Sequence, residues 1–170
     1  MGIREALNEN PRVATGLAAG LIALTLIWVV YYFWPSSGPR SMDEFKQFYS
    51  DDDGANYFKD SLTKIPPFKH DGRDAVVAHV FKGAKGKPFV GFLEKYTDQG
   101  RDKKAEIMAD KAHPQRLRSE LYPLEQSQKL VKKPGAGNPW VSTLDAAAAA
   151  KIKQVTSPDG SPATEISVDN

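Results

Sequence analysis

From Val13 to Trp34 the chain reads VATGLAAGLIALTLIWVVYYFW, without one charged side chain. No other feature constrains the fold as strongly. A helix rises about 1.5 Å per residue, so a run of this length covers the roughly 30 Å hydrocarbon core of a bilayer. Its ends are marked. Asn10 can cap the helix and Pro11 suits its first position. Pro35 stops it, and SSGP follows. Trp28, Tyr31, Tyr32, Phe33 and Trp34 crowd the distal end, as side chains that favour the headgroup level do. The expectation is a single-pass transmembrane helix over 13–34. Two other readings stay open. One is a cleavable signal peptide, whose apolar core is shorter, about 7–15 residues; Ser36 and Gly38 could imitate its cleavage site. The other is a core helix, for which the rest of the chain is too polar a wrapping.

Arg4, Arg12 and the terminal amine flank one end, Arg40 and Lys46 the other. The amine tips the balance to an inside N-terminus, which places the bulk of the chain outside the cytoplasm. Gly16 and Gly20, spaced as GxxxG with Ala19 and Ala23 nearby, offer a groove for a second helix.

The 170 residues divide on this reading into a short tail (1–12), the span (13–34), a linker (35–40), a small α+β domain (41–153) and a flexible C-terminal tail (154–170). Composition is that of a globular protein, 41% hydrophobic and 26% charged. A net charge of +2 singles out no nucleic acid partner. The absence of cysteine excludes disulfides, thiol catalysis and thiolate-held metals.

The stretch SDDDGANYF sets three carboxylates before a glycine. With Gly54 as the sixth position of an EF-hand loop, Asp51 and Asp53 fall on the third and fifth and Asp60 on the twelfth. Tyr49 then falls on the first, where a carboxylate is needed. From Ser50 to Tyr57 the pattern Ser-x-Asp-x-Gly-x-x-Tyr resembles the Asp-box, S-x-D-x-G-x-x-W/F, a hairpin turn found in many unrelated β proteins, sialidase propellers among them. The resemblance implies that Ser50 and Asp52 bond the turn backbone, that Gly54 is left-handed and that the aromatic packs beneath. Tyr57 and Asn56 depart from the usual Trp/Phe and Thr. With one copy there is no propeller.

Further elements follow from periodicity. Residues 41–49 read as a short helix or strand, with Ser41 and Glu44 at capping-box spacing and Phe45, Phe48 and Tyr49 on one side. Pro66-Pro67 marks a connection and Asp71-Gly72 a tight turn. Residues 75–81 and 89–96 make an antiparallel hairpin around KGAKGK, which the acidic hairpin extends to a small sheet. Residues 98–112 form a helix capped by Thr97 or Asp98, with Ala105, Met108, Ala109 and Ala112 as its apolar face. Residues 130–133 and 140–142 form a strand–loop–strand, and 144–152 an alanine-rich helix opened by Ser142 and Asp145. The expected fold class is α+β: the membrane helix, then a small antiparallel sheet with one or two packed helices.

Chemistry is sparse. His70 beside Asp71 could serve as a base. His79 alternates with Val80 and is expected on the less buried face. The three histidines have no metal-triad spacing, and no phosphate, nucleotide or nucleophile-elbow motif occurs. Lys82, Lys85 and Lys87 form a basic turn. No catalytic, cofactor-binding or metal residue is assigned and no cofactor is expected. The order span–FYSDDDG–PPF–HDG–hairpin–VKKPG–W resembles an uncharacterised family of bacterial single-pass membrane proteins with a small extracytoplasmic domain. That resemblance implies no activity. The leading reading is a membrane-anchored, non-catalytic interaction or accessory protein. The alternatives are a cation- or glycan-binding module at Asp51, Asp52 and Asp53, or a hydrolase using His70 and Asp71.

Overall fold

A computed structural model describes residues 11–33 and 42–168. Asn10, Trp34, the linker 35–40, Ser41 and the flanking Arg4 and Arg40 lie outside the described residues. The chain divides into two units, Met1–Arg40 and Ser41–Asn170.

In the first unit, helix α1 (Pro11–Phe33) begins on the proline, whose missing N–H is of no consequence at a first turn. Every described side chain on it is exposed, Leu21, Ile22, Leu24, Leu26 and Ile27 included. Thr25 donates its hydroxyl to the Leu21 carbonyl at 2.8 Å, so its one polar side-chain group is internally satisfied. Trp28 stacks on Tyr32 with ring centroids 5.4 Å apart, and Tyr32 meets Phe33 edge-on at 5.8 Å. Among the described residues no helix is long and apolar enough to cross a membrane.

The second unit is α+β, with an antiparallel sheet as its centre. A 3-10 turn, Met42–Glu44, leads into β1 (Lys46–Ser50). The two-residue period of a strand sends Phe48 and Tyr49 to opposite faces, so the expected grouping of Phe45, Phe48 and Tyr49 on one side does not form. Then come β2 (Phe58–Ser61), β3 (Phe68–His70), β4 (Arg73–Lys82) and β5 (Phe89–Tyr96). Helices α2 (Asp98–Ala109), α3 (Arg116–Ser119) and α4 (Leu121–Ser127) precede β6 (Lys129–Lys132) and β7 (Val141–Ser142). Helix α5 (Ala146–Lys153) and β8 (Thr164–Glu165) complete the order.

The sheet runs β2-β1-β4-β5-β6-β7. β4 is its longest strand, and three short partners share its outer edge in succession. β3 takes residues from Arg73 to Ala75, β1 takes Val76 and Val77, and β8 takes Phe81 and Lys82. Its other edge pairs with β5, and the register shifts between His79 and Val80, leaving Gly91 without an opposite residue. The expected hairpin is therefore present, with its strands extended at the β4 end. At Asp71-Gly72 both residues take positive φ, 47° and 80°, as a two-residue hairpin turn requires.

Alternation along β4 makes two cores. Phe48, Val76, Ala78, Val80, Val90 and Leu93 pack together on one face, under Trp140, Ile166 and Val168. Phe81, Phe92, Val131 and Ala149 pack on the other, with Ile152 and Val155. Each fully buried Val, Leu or Phe of these clusters stabilises the fold by about 1.5–3 kcal/mol.

Three further expectations are corrected. The apolar face of α2 is not the alanine row: Ala105 and Ala109 are exposed, and Ile107 is buried at 1% exposure, because its larger side chain buries more apolar area. In α5 the cap is Asp145 alone, which accepts from Ala148 N; Ser142 instead accepts from Leu144 N, two residues before the helix. The segment 154–170 is not a flexible tail through residue 168. Val155 and Ala163 pack in one core, Ile166 and Val168 in the other, and β8 joins the sheet. Its Ser, Pro and Gly content signals turns between these anchor points rather than disorder.

Candidate functional site

The acidic stretch closes the β1–β2 hairpin, and its three carboxylates point to three different sets of partners. Asp52 serves the turn. Its Oδ1 accepts from Asn56 N at 2.9 Å and from the Ser50 hydroxyl at 2.9 Å, and its Oδ2 accepts from the Asn56 side chain at 2.7 Å. Ser50, fully buried, accepts from Gly54 N at 2.9 Å. Gly54 has φ 87°, and Tyr57 meets Phe48 edge-on at 5.1 Å. This is the geometry that the Asp-box resemblance implies. Burial raises the Asp52 pKa and is outweighed by the Asn56 and Ser50 hydrogen bonds, which leave it below the ordinary aspartate value.

Asp51 faces the β3–β4 hairpin. Its Oδ2 lies 2.8 Å from His70 Nδ1, and one Arg73 nitrogen reaches both carboxylate oxygens at 3.1 Å. The His70 hydrogen bond, with help from Arg73, holds the Asp51 pKa below its ordinary value. His70 also stacks on Phe58, centroids 3.9 Å apart. Asp71, the neighbour expected to pair with His70, stands 4.0 Å away and is 84% exposed. The left-handed turn carries it off, and the partner comes from a residue 19 positions earlier in the chain. Asp53, also left-handed with φ 66°, binds the Lys132 ammonium on β6. Among the described residues no group of three or more His, Asp or Glu is placed to hold a metal ion.

A second constellation lies where α2, α3 and α4 lean over β5 and β6. It lines a cleft of about 360 Å³. The Tyr96 hydroxyl donates to Glu125 Oε1 at 2.9 Å, and Lys104 reaches both Tyr96 and Glu125, at 2.8 and 3.2 Å. Burial, then Glu125, pushes the Tyr96 hydroxyl far above the usual tyrosine value. Burial also raises Glu125, but Tyr96, Lys129 and Lys104 outweigh it and leave the carboxyl below its ordinary value. Glu94 pairs with Lys129 at 2.8 Å. Leu62, Met108, Leu117 and Leu121 give the cleft its apolar wall. Charges here are matched in pairs beside apolar surface.

His79 is not on an open face. Its ring lies flat on Phe92, centroids 4.0 Å apart, and Nδ1 is 2.6 Å from Glu165 Oε1. Sequence reasoning missed this group and the cleft. One signal was available. Glu94 alternates with Phe92 and Tyr96, so a carboxylate stands in a row that is otherwise aromatic. Lys82, Lys85 and Lys87 sit exposed around their turn. Comparison with family models, with curated proteins and with solved structures finds no match.

Proposed function

We propose that the chain is a single-pass membrane protein whose apolar helix holds a small α+β domain at the bilayer surface. That domain acts there as a non-catalytic interaction or accessory module, outside the cytoplasm. The observation that carries the reading is the surface of α1. Leucine, isoleucine, valine and aromatic side chains stand exposed along it, and its hydroxyl at Thr25 is turned back onto the helix. In water that surface is costly, at about 25 cal/mol per Å² of apolar area. In hydrocarbon it is the preferred one. Gly16 and Gly20 have open space around them, and a second helix packing there belongs to the same reading. Anchoring raises the local concentration at which partners meet the domain.

The acidic turn supports a structural role for Asp51, Asp52 and Asp53, because each carboxylate is engaged by groups of the chain itself. The test is photo-crosslinking in native membranes, with a photoreactive side chain at exposed Tyr122 or Leu144. A discrete, reproducible set of captured proteins that is lost when residues 11–33 are deleted is expected. Absence of any discrete adduct overturns the interaction reading.

A further inference from the structure

His79 lies between two carboxylates that belong to different strands. Its Nδ1 is 2.6 Å from Glu165 Oε1 on β8, and its Nε2 is 3.9 Å from Glu94 Oε2 on β5. Stacking on Phe92 at 13° between planes fixes the ring. Nε2 is buried and has no hydrogen-bond partner. A neutral imidazole carries one N–H and one lone pair. With the proton on Nδ1, the lone pair of Nε2 faces Glu94. With the proton on Nε2, the lone pair of Nδ1 faces Glu165. Either tautomer sets a lone pair toward a carboxylate, whereas the imidazolium presents an N–H to each.

The surroundings keep that preference. Lys129 of β6 holds Glu94 at 2.8 Å and offsets part of its charge. From β1, Lys46 and the uncharged Gln47 line a second cleft together with His79, separate from the one beside Tyr96, and Glu165 lines it from β8. Two carboxylates therefore act on the ring at close range, and the lysines lie behind them or at the cleft wall.

β8 is a slender strap. Two residue pairs join it to β4, Phe81 with Glu165 and Lys82 with Thr164, and Ile166 N donates to the Val80 carbonyl at 2.9 Å. Beyond it, Ile166 and Val168 cover the core that contains Phe48, Ala78 and Val80, and Lys59 bonds the Val168 carbonyl at 3.1 Å. Among the described residues, the His79–Glu165 contact is the ionic tie between this strap and the centre of the sheet.

We propose that His79 is a protonation-controlled latch for the C-terminal strap. The imidazolium clamps β8 to β4. The neutral ring releases it, uncovering the outer edge of β4 and the apolar side chains beneath Ile166 and Val168. The latch is closed while the ring carries both N–H groups and opens when it loses one, so a rise in pH opens it.

The test is hydrogen exchange of the Ile166 amide, followed by NMR on the full chain in detergent micelles and corrected for intrinsic exchange. Protection is expected to fall about tenfold between roughly pH 5.5 and 8.5, the scale of one charge-assisted hydrogen bond. Glu165→Gln, a change at a half-exposed side chain, keeps an acceptor but removes the charge. It is expected to flatten that dependence. Protection that is equal at the two pH values in the unaltered chain overturns the latch. So does an unchanged pH dependence in Glu165→Gln.

Discussion

The Lys132 ammonium on β6 is bound by the Asp53 carboxylate of the acidic turn, 79 positions earlier in the chain. The pair is lopsided: the Lys132 side chain is 7% exposed and that of Asp53 40%. Gly135 N also donates to the Asp53 carbonyl at 2.9 Å, so backbone and side chain both dock the turn on the β6–β7 loop. Removing Asp53 strands a buried cation, whereas removing Lys132 leaves a carboxylate that water can reach. Asp53→Asn, which retains the left-handed preference, is expected to cost about 2–3 kcal/mol. Lys132→Met is expected to cost under about 1 kcal/mol. Urea unfolding of the two variants reads the asymmetry, and equal losses contradict it.

The turn itself is expected to be indifferent to calcium. Asp52→Ala removes the acceptor for Ser50 and Asn56 and is expected to cost about 1–3 kcal/mol. Gly54→Ala is expected to cost at least as much. Its φ of 87° disfavours a side chain, and a Cβ there would stand 2.8 Å from Pro134 Cβ. Thermal melts in calcium and in chelator are expected to superimpose for the parent and for both variants. A rise in the parent's Tm with calcium contradicts the structural reading.

Acid is expected to loosen the α2–α3 corner. Arg116 bonds Glu106, Asp110 and Glu120 at 2.7–2.8 Å. Hydrogen bonds from Arg116 and then His113 hold the Asp110 carboxyl down at about 2. A carboxylate with a folded-state pKa below its unfolded value stabilises the fold above the unfolded value, and that contribution is lost as pH falls through the folded one. Tm is therefore expected to drop between about pH 4 and 2, and less so in Asp110→Asn. An identical acid profile in parent and variant contradicts the assignment.

Glycine at the start of α2 inverts a common rule. Thr97 caps the helix by accepting from Gly100 N at 3.0 Å, and its hydroxyl donates to Gln128 at 2.7 Å. Thr97→Ala is expected to cost about 1–2 kcal/mol. Gly100→Ala would ordinarily stabilise a helix. Here the new Cβ would stand 2.5 Å from Gln128 Cβ, so destabilisation is expected, read as a lower urea midpoint. A higher midpoint contradicts the packing.

The sequence made legible whatever depends on nearby residues. The Asp-box-like bonding of Ser50, Asp52 and Gly54, the Asp71-Gly72 turn, the β4–β5 hairpin and the Thr97 cap all rest on contacts within a few positions. What stayed hidden rests on pairing across the chain. His70 has an aspartate beside it, but left-handed backbone at Asp71 turns that side chain away and leaves the place to Asp51. β2 and β3 are four and three residues long, and each is held as a strand by its neighbour rather than by its own alternation. The final strand was obscured by its composition: Ser, Pro and Gly surround Ala163, Ile166 and Val168, whose burial depends on a β4 edge some 80 residues earlier. In the cleft, Glu94, Lys104, Glu125 and Lys129 come from four elements, and no spacing unites them.

The central proposal is that α1 is a permanent tether in hydrocarbon. Its most direct test is alkaline carbonate extraction of vesicles carrying the full chain, beside a version lacking residues 11–33. Full-length protein that stays in the membrane pellet while the deleted version moves to the supernatant is the expected result. Full-length protein released to the supernatant contradicts the tether.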